Sequence, residues 1–554
     1  MKQVEIFCEN TGKSYQIEVG STLYDAKKVI FPQNHQNILG ALVNNEVQDL
    51  QYIILMPKQV NFIDVTSLDG YSIYTRSLLF VLYKAINRLF PHKTFVAEYY
   101  ISNGIFCRIA DQTEASSAST IDNIRQAMRE IIARDCPIIR KELPTAKAIS
   151  LFQESGLKDK SELLETRGRL YTSVYYIEDT PAYFYGTLAP STGCLKTFDL
   201  QPYHDGMLLC LPDRKNPAQV RPFVRQDKLL QIFDEHKRWG KILKVNDIGT
   251  LNNIVDNKYS GDIIRISEAL HEKKISFIAD TIHARREKIK VILIAGPSSS
   301  GKTTFSKRLG TQLMVNGLKP VTLSLDNYFV NREDTPRDEN GEYDFESINA
   351  LDIRTFTDNI LRLLKGEEVE IPKFSFDTGL RYYDGEKVKI DREHVLVIEG
   401  IHGLNPQLTQ LLPAENLFKI FVSALTSISI DNHNIIKPAD NRLLRRMVRD
   451  YKYRNYSALE TLKRWESVLK GEEEHIVPYQ EEADIMFNSA LIYELGALKA
   501  QAEPLLREVM EQYPEHSKAL RLLKFLSYIK AISSKDIPNT SILREFLGGS
   551  SFKY

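Results

Sequence analysis

Two rhythms of apolar residues divide this chain. In the first 65 residues apolar and polar positions alternate over short runs. Residues 3–7 (QVEIF) and 15–19 (YQIEV) flank the turn sequence Asn10-Thr-Gly12, which predicts two strands joined by a tight connection. Ser21 precedes an expected short helix, Leu23–Ile30, and residues 41–47 (ALVNNEV) predict a further hairpin. From residue 290 the rhythm changes, and short apolar runs alternate with stretches of helical periodicity. Residues 291–295, 321–325, 395–398, 419–422 and 485–487 are the candidate strands. Strands alternating with helices predict a doubly wound parallel sheet with its ligand at the carboxyl ends of the strands.

Between these regions, residues 216–289 are mostly helical in pattern, for example over 227–239 and 263–285, and read as a connector docked on the domain that follows. Residues 491–554 carry an apolar stripe at Leu491, Leu495, Leu498 and Leu505 before a Gly-Gly-Ser-Ser tail, and are expected to be structural. The expected organisation is multidomain α/β, in segments 1–65, 66–215, 216–289, 290–490 and 491–554.

Composition adds bounds rather than direction. A chain of 554 residues is long enough for several domains, and 43% hydrophobic with 26% charged residues fits a globular protein. Lys+Arg and Asp+Glu balance at 72 each, so global charge gives no support for a nucleic-acid or membrane partner; a local patch on the front segments is where a nucleic acid would have to bind. The opening residues lack an apolar signal core, and no run approaches bilayer length, so a cytoplasmic location is expected. The five scattered cysteines, with no CxxC pair, are expected to be reduced thiols.

The candidate chemistry lies in the second half. Residues 296–303 read GPSSSGKT directly after the apolar run 291–295, and Phe305, Leu309 and Leu313 give the next stretch one apolar helical face. This is a phosphate-binding loop in its strand–loop–helix setting. Gly296, Pro297, Ser298, Ser299, Ser300 and Gly301 would turn backbone N–H groups toward phosphate oxygens, at the positive end of the helix dipole. Lys302 supplies a point charge for the β/γ-phosphates, Thr303 offers a hydroxyl to Mg²⁺, and Thr304 completes the cradle. The nucleotide implied is ATP or GTP with Mg²⁺.

Three further motifs follow. Ser324-Leu-Asp-Asn-Tyr-Phe329 ends the second strand and puts Asp326 where a carboxylate can take the proton of an attacking hydroxyl, within reach of the metal. His394-Val-Leu-Val-Ile-Glu-Gly400 is a buried strand ending in Glu399, a metal-serving acid. In 440–450 (DNRLLRRMVRD), Arg442, Arg445, Arg446 and Arg449 recur at i, i+3, i+4 and i+7. Such a row repels itself unless it meets an anion. The expectation is a lid closing over the triphosphate, with Arg442 and Arg446 binding phosphates and Arg445 and Arg449 acting on the transferring group.

With GPSSSGKT, SLDNYF, VLVIEG and DNRLLRRMVRD in this order, residues 290–490 resemble the uridine kinase/phosphoribulokinase family. In that family the aspartate matching Asp326 is the base for the acceptor hydroxyl, and an acidic segment resembling 343–346, with Asp344, contacts the ribose. The resemblance further implies Tyr328, Phe374, Phe376 and Arg381 as acceptor residues. The family's nucleobase loop runs roughly I-P-x-Y-D-F-x-x-H-x-R, whereas this chain has Phe374 for the Tyr and Gly379 for the His. The usual base contacts are therefore not all present, and the acceptor is read as a nucleoside or a related small alcohol.

The front half resembles other proteins. "VGSTLYDAKK" and "ALVNNEVQDL" are similar to a TGS domain, a small β-grasp module of threonyl-tRNA synthetases and some GTPases. Residues 76–106 resemble the synthetase's second additional domain, whose editing site uses H-x-x-x-H and C-x-x-x-H. Here those positions fall on Arg76, Phe80, Phe184 and Leu188, which cannot ligate a metal, so the fold is expected without the editing chemistry. The whole chain looks like the bacterial nucleoside kinases that carry such front modules. Two other readings stay open from sequence: a phosphoribulokinase-like kinase of a sugar or sugar phosphate, and an NTP-regulated protein docking on RNA or the ribosome.

Overall fold

The computed structural model describes residues 2–32, 37–110, 117–337, 341 and 343–553. The first strand, Gln3–Cys8, pairs antiparallel with Lys13–Glu18 as the turn sequence requires. The helix Leu23–Ile30 is capped by Thr22, one residue later than the expected Ser21. Its hydroxyl accepts from the Asp25 N–H while the Asp25 carboxylate accepts from the Thr22 N–H, a reciprocal cap. Lys58–Ile63, which the sequence reading left out, is the central strand of this sheet. It runs parallel to Gln3–Cys8 and antiparallel to Gly40–Val43, so its place is set by partners distant in sequence.

The next region centres on a long helix, Leu68–Leu89, flanked by a four-stranded and a three-stranded antiparallel sheet. It is fused to the C-terminal half by buried polar contacts. The Lys160 ammonium meets the Asp431 carboxylate at 2.7 Å with both side chains inaccessible, and the Tyr183 and Tyr528 hydroxyls meet at 2.5 Å. The connector consists of three helices, Asp227–Leu243, Ile248–Asp256 and Ser260–His283. Their apolar faces join one continuous core that runs from Ile73 through Ile278 to Phe305.

The C-terminal half carries five parallel strands: β1 (Val291–Ala295), β2 (Lys319–Ser324), β3 (His394–Glu399), β4 (Leu417–Ser423) and β5 (Ile485–Asn488). They lie in the order β2-β3-β1-β4-β5, so the chain reverses direction beside β1. β1 is buried throughout because helices cover both faces, which explains its unbroken apolar run. β2 stops at Ser324 rather than the expected 325, because the Ser324 hydroxyl accepts from the Asp326 N–H and starts a tight turn, Leu325–Tyr328. Two helices matter for the site: α1 (Lys302–Val315), leaving β1, and α2 (Pro438–Arg454), packed behind the same loop. Among the described residues no helix is long and apolar enough to cross a membrane.

Candidate active site

The loop between β1 and α1 has a geometry that its residues enforce. A Cβ on Gly296 would fall 1.9 Å from the Val422 carbonyl oxygen of β4, so only glycine lets the loop leave the sheet there. Gly301 caps α1 with φ +83° and Ser299 sits at φ +58°, and this pair of left-handed residues turns successive N–H groups inward. The Ser299 and Ser300 hydroxyls are buried with no protein partner, polar groups left for something else to satisfy. Lys302 donates from Nζ to the Pro297 carbonyl at 3.1 Å and so spans the mouth of the loop.

Acids gather around that ammonium. The Thr303 hydroxyl donates to Glu399 Oε1 at 3.1 Å, which brings the end of β3 to the start of α1. Burial pushes the Glu399 carboxyl up to about 7, opposed by the Lys302 charge and reinforced by Asp326 and Glu545. Asp326, at the end of β2, is likewise raised by burial, while Lys302 and Arg454 pull it back. Glu346 is pushed up to about 7 by burial, against the attraction of Arg446 and Lys302. An ammonium, a hydroxyl and several carboxylates at the carboxyl ends of β1, β2 and β3 fit a nucleotide with a divalent cation. Glu399 and Asp326 both feel the Lys302 charge.

The arginine row behaves otherwise than the sequence suggested. α2 is not a lid: Leu443, Leu444, Met447 and Val448 are buried in the core, which fixes the helix against the loop. Arg442 pairs with Glu472 at 2.6 Å and donates to the Ser298 carbonyl at 3.3 Å. Arg445 is fully buried, paired with Glu494 at 2.5 Å and donating to the Ser489 carbonyl at 2.9 Å and to that of Ser299 at 3.5 Å. These two brace the loop from behind, and the role expected for Arg445 on the transferring group does not fit its burial. Arg446 donates to the Ser298 hydroxyl at 3.0 Å, and Arg449 pairs with Asp450 at 2.7 Å. Both side chains are mostly covered, 14% and 15% exposed.

Residues 291–492 match the phosphoribulokinase/uridine kinase family. The uridine kinase of Ligilactobacillus salivarius is 30% identical over 206 residues, covering 37% of this chain and 87% of that protein. This chain belongs to the phosphoribulokinase/uridine kinase family. A uridine kinase of Schizosaccharomyces pombe is 31% identical over 199 residues, 35% of this chain and 38% of the other. The front half is similar to threonine–tRNA ligases: that of Methylobacillus flagellatus is 28% identical over 163 residues, 29% of this chain and 26% of the ligase. This chain thus spans about a quarter and somewhat over a third of the last two proteins. A solved structure of a possible uridine kinase from Bacillus stearothermophilus aligns with 39% of this chain and 98% of its own at 19% identity, with a TM-score of 0.27.

Around the residues expected to meet the acceptor, aromatic rings cluster. Phe329, Phe374 and Phe376 pack with centroids 5.2–6.0 Å apart, and Phe345 joins Phe329 at 6.4 Å. Tyr328, expected to touch the acceptor, is fully buried with its ring edge-on to Phe356 and its hydroxyl on Asn359; Phe329 next to it joins the cluster instead. Arg381 is also diverted, its guanidinium paired with Asp352 at 2.7 Å. Asp344 accepts from the Glu346 N–H at 3.1 Å and thereby shapes the turn, and Glu346 is the acid that interacts with Lys302. Gly379, at φ +72°, leaves room for Arg332, whose Nε would lie 2.7 Å from a Cβ there.

Three of the four positions matching the editing motif bury apolar side chains. Phe80 is inaccessible and packs on Phe184 with centroids 5.7 Å apart, and Leu188 is buried. Arg76 is partly buried and donates from Nε and Nη2 to the Thr187 carbonyl at 3.1 and 2.9 Å. Sequence reasoning missed Glu346, Glu545 and Arg454. Glu346 was within the quoted acidic segment, but nothing local marks the other two.

Proposed function

We propose that this kinase transfers the γ-phosphoryl group of a nucleoside triphosphate to a hydroxyl of a nucleoside, in a reaction that needs Mg²⁺. The observation that carries this reading is the coupling of Asp326 and Glu399 to the Lys302 charge at one loop mouth, with the ring cluster of Phe329, Phe374 and Phe376 following on from Asp326. The bound metal–nucleotide supplies an electrophilic phosphorus and a leaving group of low basicity. Lys302 and the loop amides would hold the β/γ-phosphate oxygens, and Thr303 and Glu399 would hold the cation. Asp326 is raised by burial and pulled back by Lys302 and Arg454, and in its ionised form it is the carboxylate that would accept the hydroxyl proton. Arg446 and Arg449 lie on the side where negative charge grows.

The flat rings of Phe329, Phe374 and Phe376 favour a planar base over a sugar phosphate, whose anionic group would need free cations in the pocket. Arg381, the cation expected there, is already neutralised by Asp352. Purified protein with ATP–Mg²⁺ and a panel of nucleosides, sugars and sugar phosphates tests the proposal. ADP release should depend on a nucleoside, with phosphate appearing on that nucleoside. Hydrolysis at the same rate without any acceptor would overturn it in favour of a nucleotide switch.

A further inference from the structure

The segment following the last long helices returns to the phosphate loop. Ile542, Leu543 and Phe546 are fully buried, Ile542 lies against Gly301, and the Arg445 guanidinium covers the Phe546 ring at 5.1 Å. The Ser541 hydroxyl donates to Glu268 Oε1 at 2.5 Å, and Lys452 donates from Nζ to the Leu547 carbonyl at 2.7 Å. The backbone of 541–547 is therefore anchored. From it the partly exposed Glu545 side chain reaches the start of α1, where Oε2 accepts from the Thr304 hydroxyl at 2.6 Å and from the Thr304 N–H at 3.3 Å.

Thr304 is the third residue of α1, so its N–H is one of the first-turn donors that have no acceptor within the helix. Lys302 and Thr303 serve the end of the phosphate chain where the metal sits, so the Thr304 N–H and hydroxyl fall to the next phosphate toward the nucleoside. The α1 dipole favours an anion there, and the chain supplies one of its own.

We infer that Glu545 is an internal competitor for nucleotide: its carboxylate occupies the Thr304 donors that a phosphate of the bound nucleotide needs, and binding requires that side chain to swing away. The inference rests on the reading of this loop as the nucleotide site. One N–H shared between a carboxylate and a phosphate oxygen bonds each more weakly, and the two anions repel each other at close range. Because the backbone is pinned by Ile542 and Phe546, only the Glu545 side chain needs to move. Nucleotide affinity is accordingly set lower than the loop alone would give, by a residue outside the strands and motifs that build the site.

The test is equilibrium titration of full-length protein with Mg²⁺ and a non-hydrolysable ATP analogue, comparing wild type with Glu545→Gln, Glu545→Asp and Lys302→Ala. Glu545→Gln removes the charge with the shape kept, and Glu545→Asp keeps the charge but falls short of Thr304. Both should bind about tenfold or more tightly, as expected when one charge-assisted bond no longer has to be broken. Equal or weaker binding by both variants, with Lys302→Ala still weakening it, would overturn the inference and make Glu545 inert or a contributor to binding. Failure of wild type to bind the analogue at all would instead remove the nucleotide reading of the loop. If one Glu545 variant fails to fold, as judged by far-ultraviolet circular dichroism, the other decides.

Discussion

The phosphate loop and the Phe80–Phe184 region are both places where a known active-site pattern lies on the sequence, and the structure treats them oppositely. At the loop, buried hydroxyls of Ser299 and Ser300 are left without protein partners, and carboxyls of Glu399 and Glu346 are pushed up to about 7 around the Lys302 charge. At the former editing positions, Phe80, Phe184 and Leu188 pack as ordinary core, and Arg76 is satisfied by one backbone carbonyl. Unsatisfied polarity in the first case is tolerated because a ligand completes it. In the second, apolar filling contributes stability with nothing left to complete. Both regions keep their folds; only one keeps groups whose cost makes sense with a ligand.

The sharpest break of this comparison is at Lys302. Lys302→Ala should abolish measurable phosphoryl transfer in a correctly folded protein, because the ammonium offsets charge on the transferring group. Near-normal turnover would remove the kinase mechanism. Asp326→Asn should lower kcat by about 10²–10⁴-fold while nucleotide affinity, read by titration, stays close to wild type. An unchanged kcat would move the base to Glu346. On the other side of the comparison, Phe80→Ala should cost about 3–5 kcal/mol in stability, because it empties a packed core position. Denaturant unfolding measures it, and a loss of transfer without loss of stability would mean the position still serves chemistry.

How much of this was legible in the sequence follows from distance along the chain. The five parallel strands and the phosphate loop are written locally, as apolar runs beside a glycine pattern, and they came out within a residue or two. The arginine row was misread because its neutralising acids lie elsewhere: Glu472 and Glu494 reach Arg442 and Arg445 from other helices, so a row that looks self-repelling is already paired. Lys58–Ile63 was missed because a strand that is central through its pairing to residues some fifty positions earlier carries little signal of its own. Tyr328 and Phe329 are adjacent, and only the tight turn after β2 decides which is buried and which joins the aromatic cluster. Glu545 could not be found at all, since its contact with Thr304 joins residues 241 positions apart.

A smaller effect sharpens the electrostatic side. Glu399 lies at about 7 in the fold against an ordinary 4.5, so its protonated form is the one the nucleotide-free fold favours. Its contribution to stability is therefore full below about pH 4.5 and is lost as pH rises through 7, and Glu346, raised in the same way, adds to the same trend. Cation binding needs the ionised Glu399, so affinity for the Mg²⁺–nucleotide should rise with pH up to about 7 and then level. Titrations at pH 6, 7 and 8 on wild type and Glu399→Gln check this. A pH dependence that survives the substitution would assign the proton to another group.

The smallest expected effect concerns the acceptor. Phe374 stands where the family pattern has a tyrosine, and Gly379 where it has a histidine, so a hydroxyl and an imidazole are missing from the loop expected to face a base. What lines the pocket instead is the ring cluster of Phe329, Phe374 and Phe376, which recognises a flat surface without reading its edge. Apolar and shape contacts separate related ligands by only about 1–3 kcal/mol, whereas a site built to hydrogen-bond one base rejects others far more strongly. Uridine and cytidine should therefore hold no large advantage in kcat/KM, and a purine nucleoside or another alcohol should compete at least equally. Arg332, whose guanidinium fills the space above Gly379, is the residue positioned to change this outcome. A uridine preference of several orders of magnitude that disappears in Arg332→Ala would show that this side chain restores the edge contact that the loop has lost; the same preference persisting in that variant would place the discriminating donors outside the aromatic pocket.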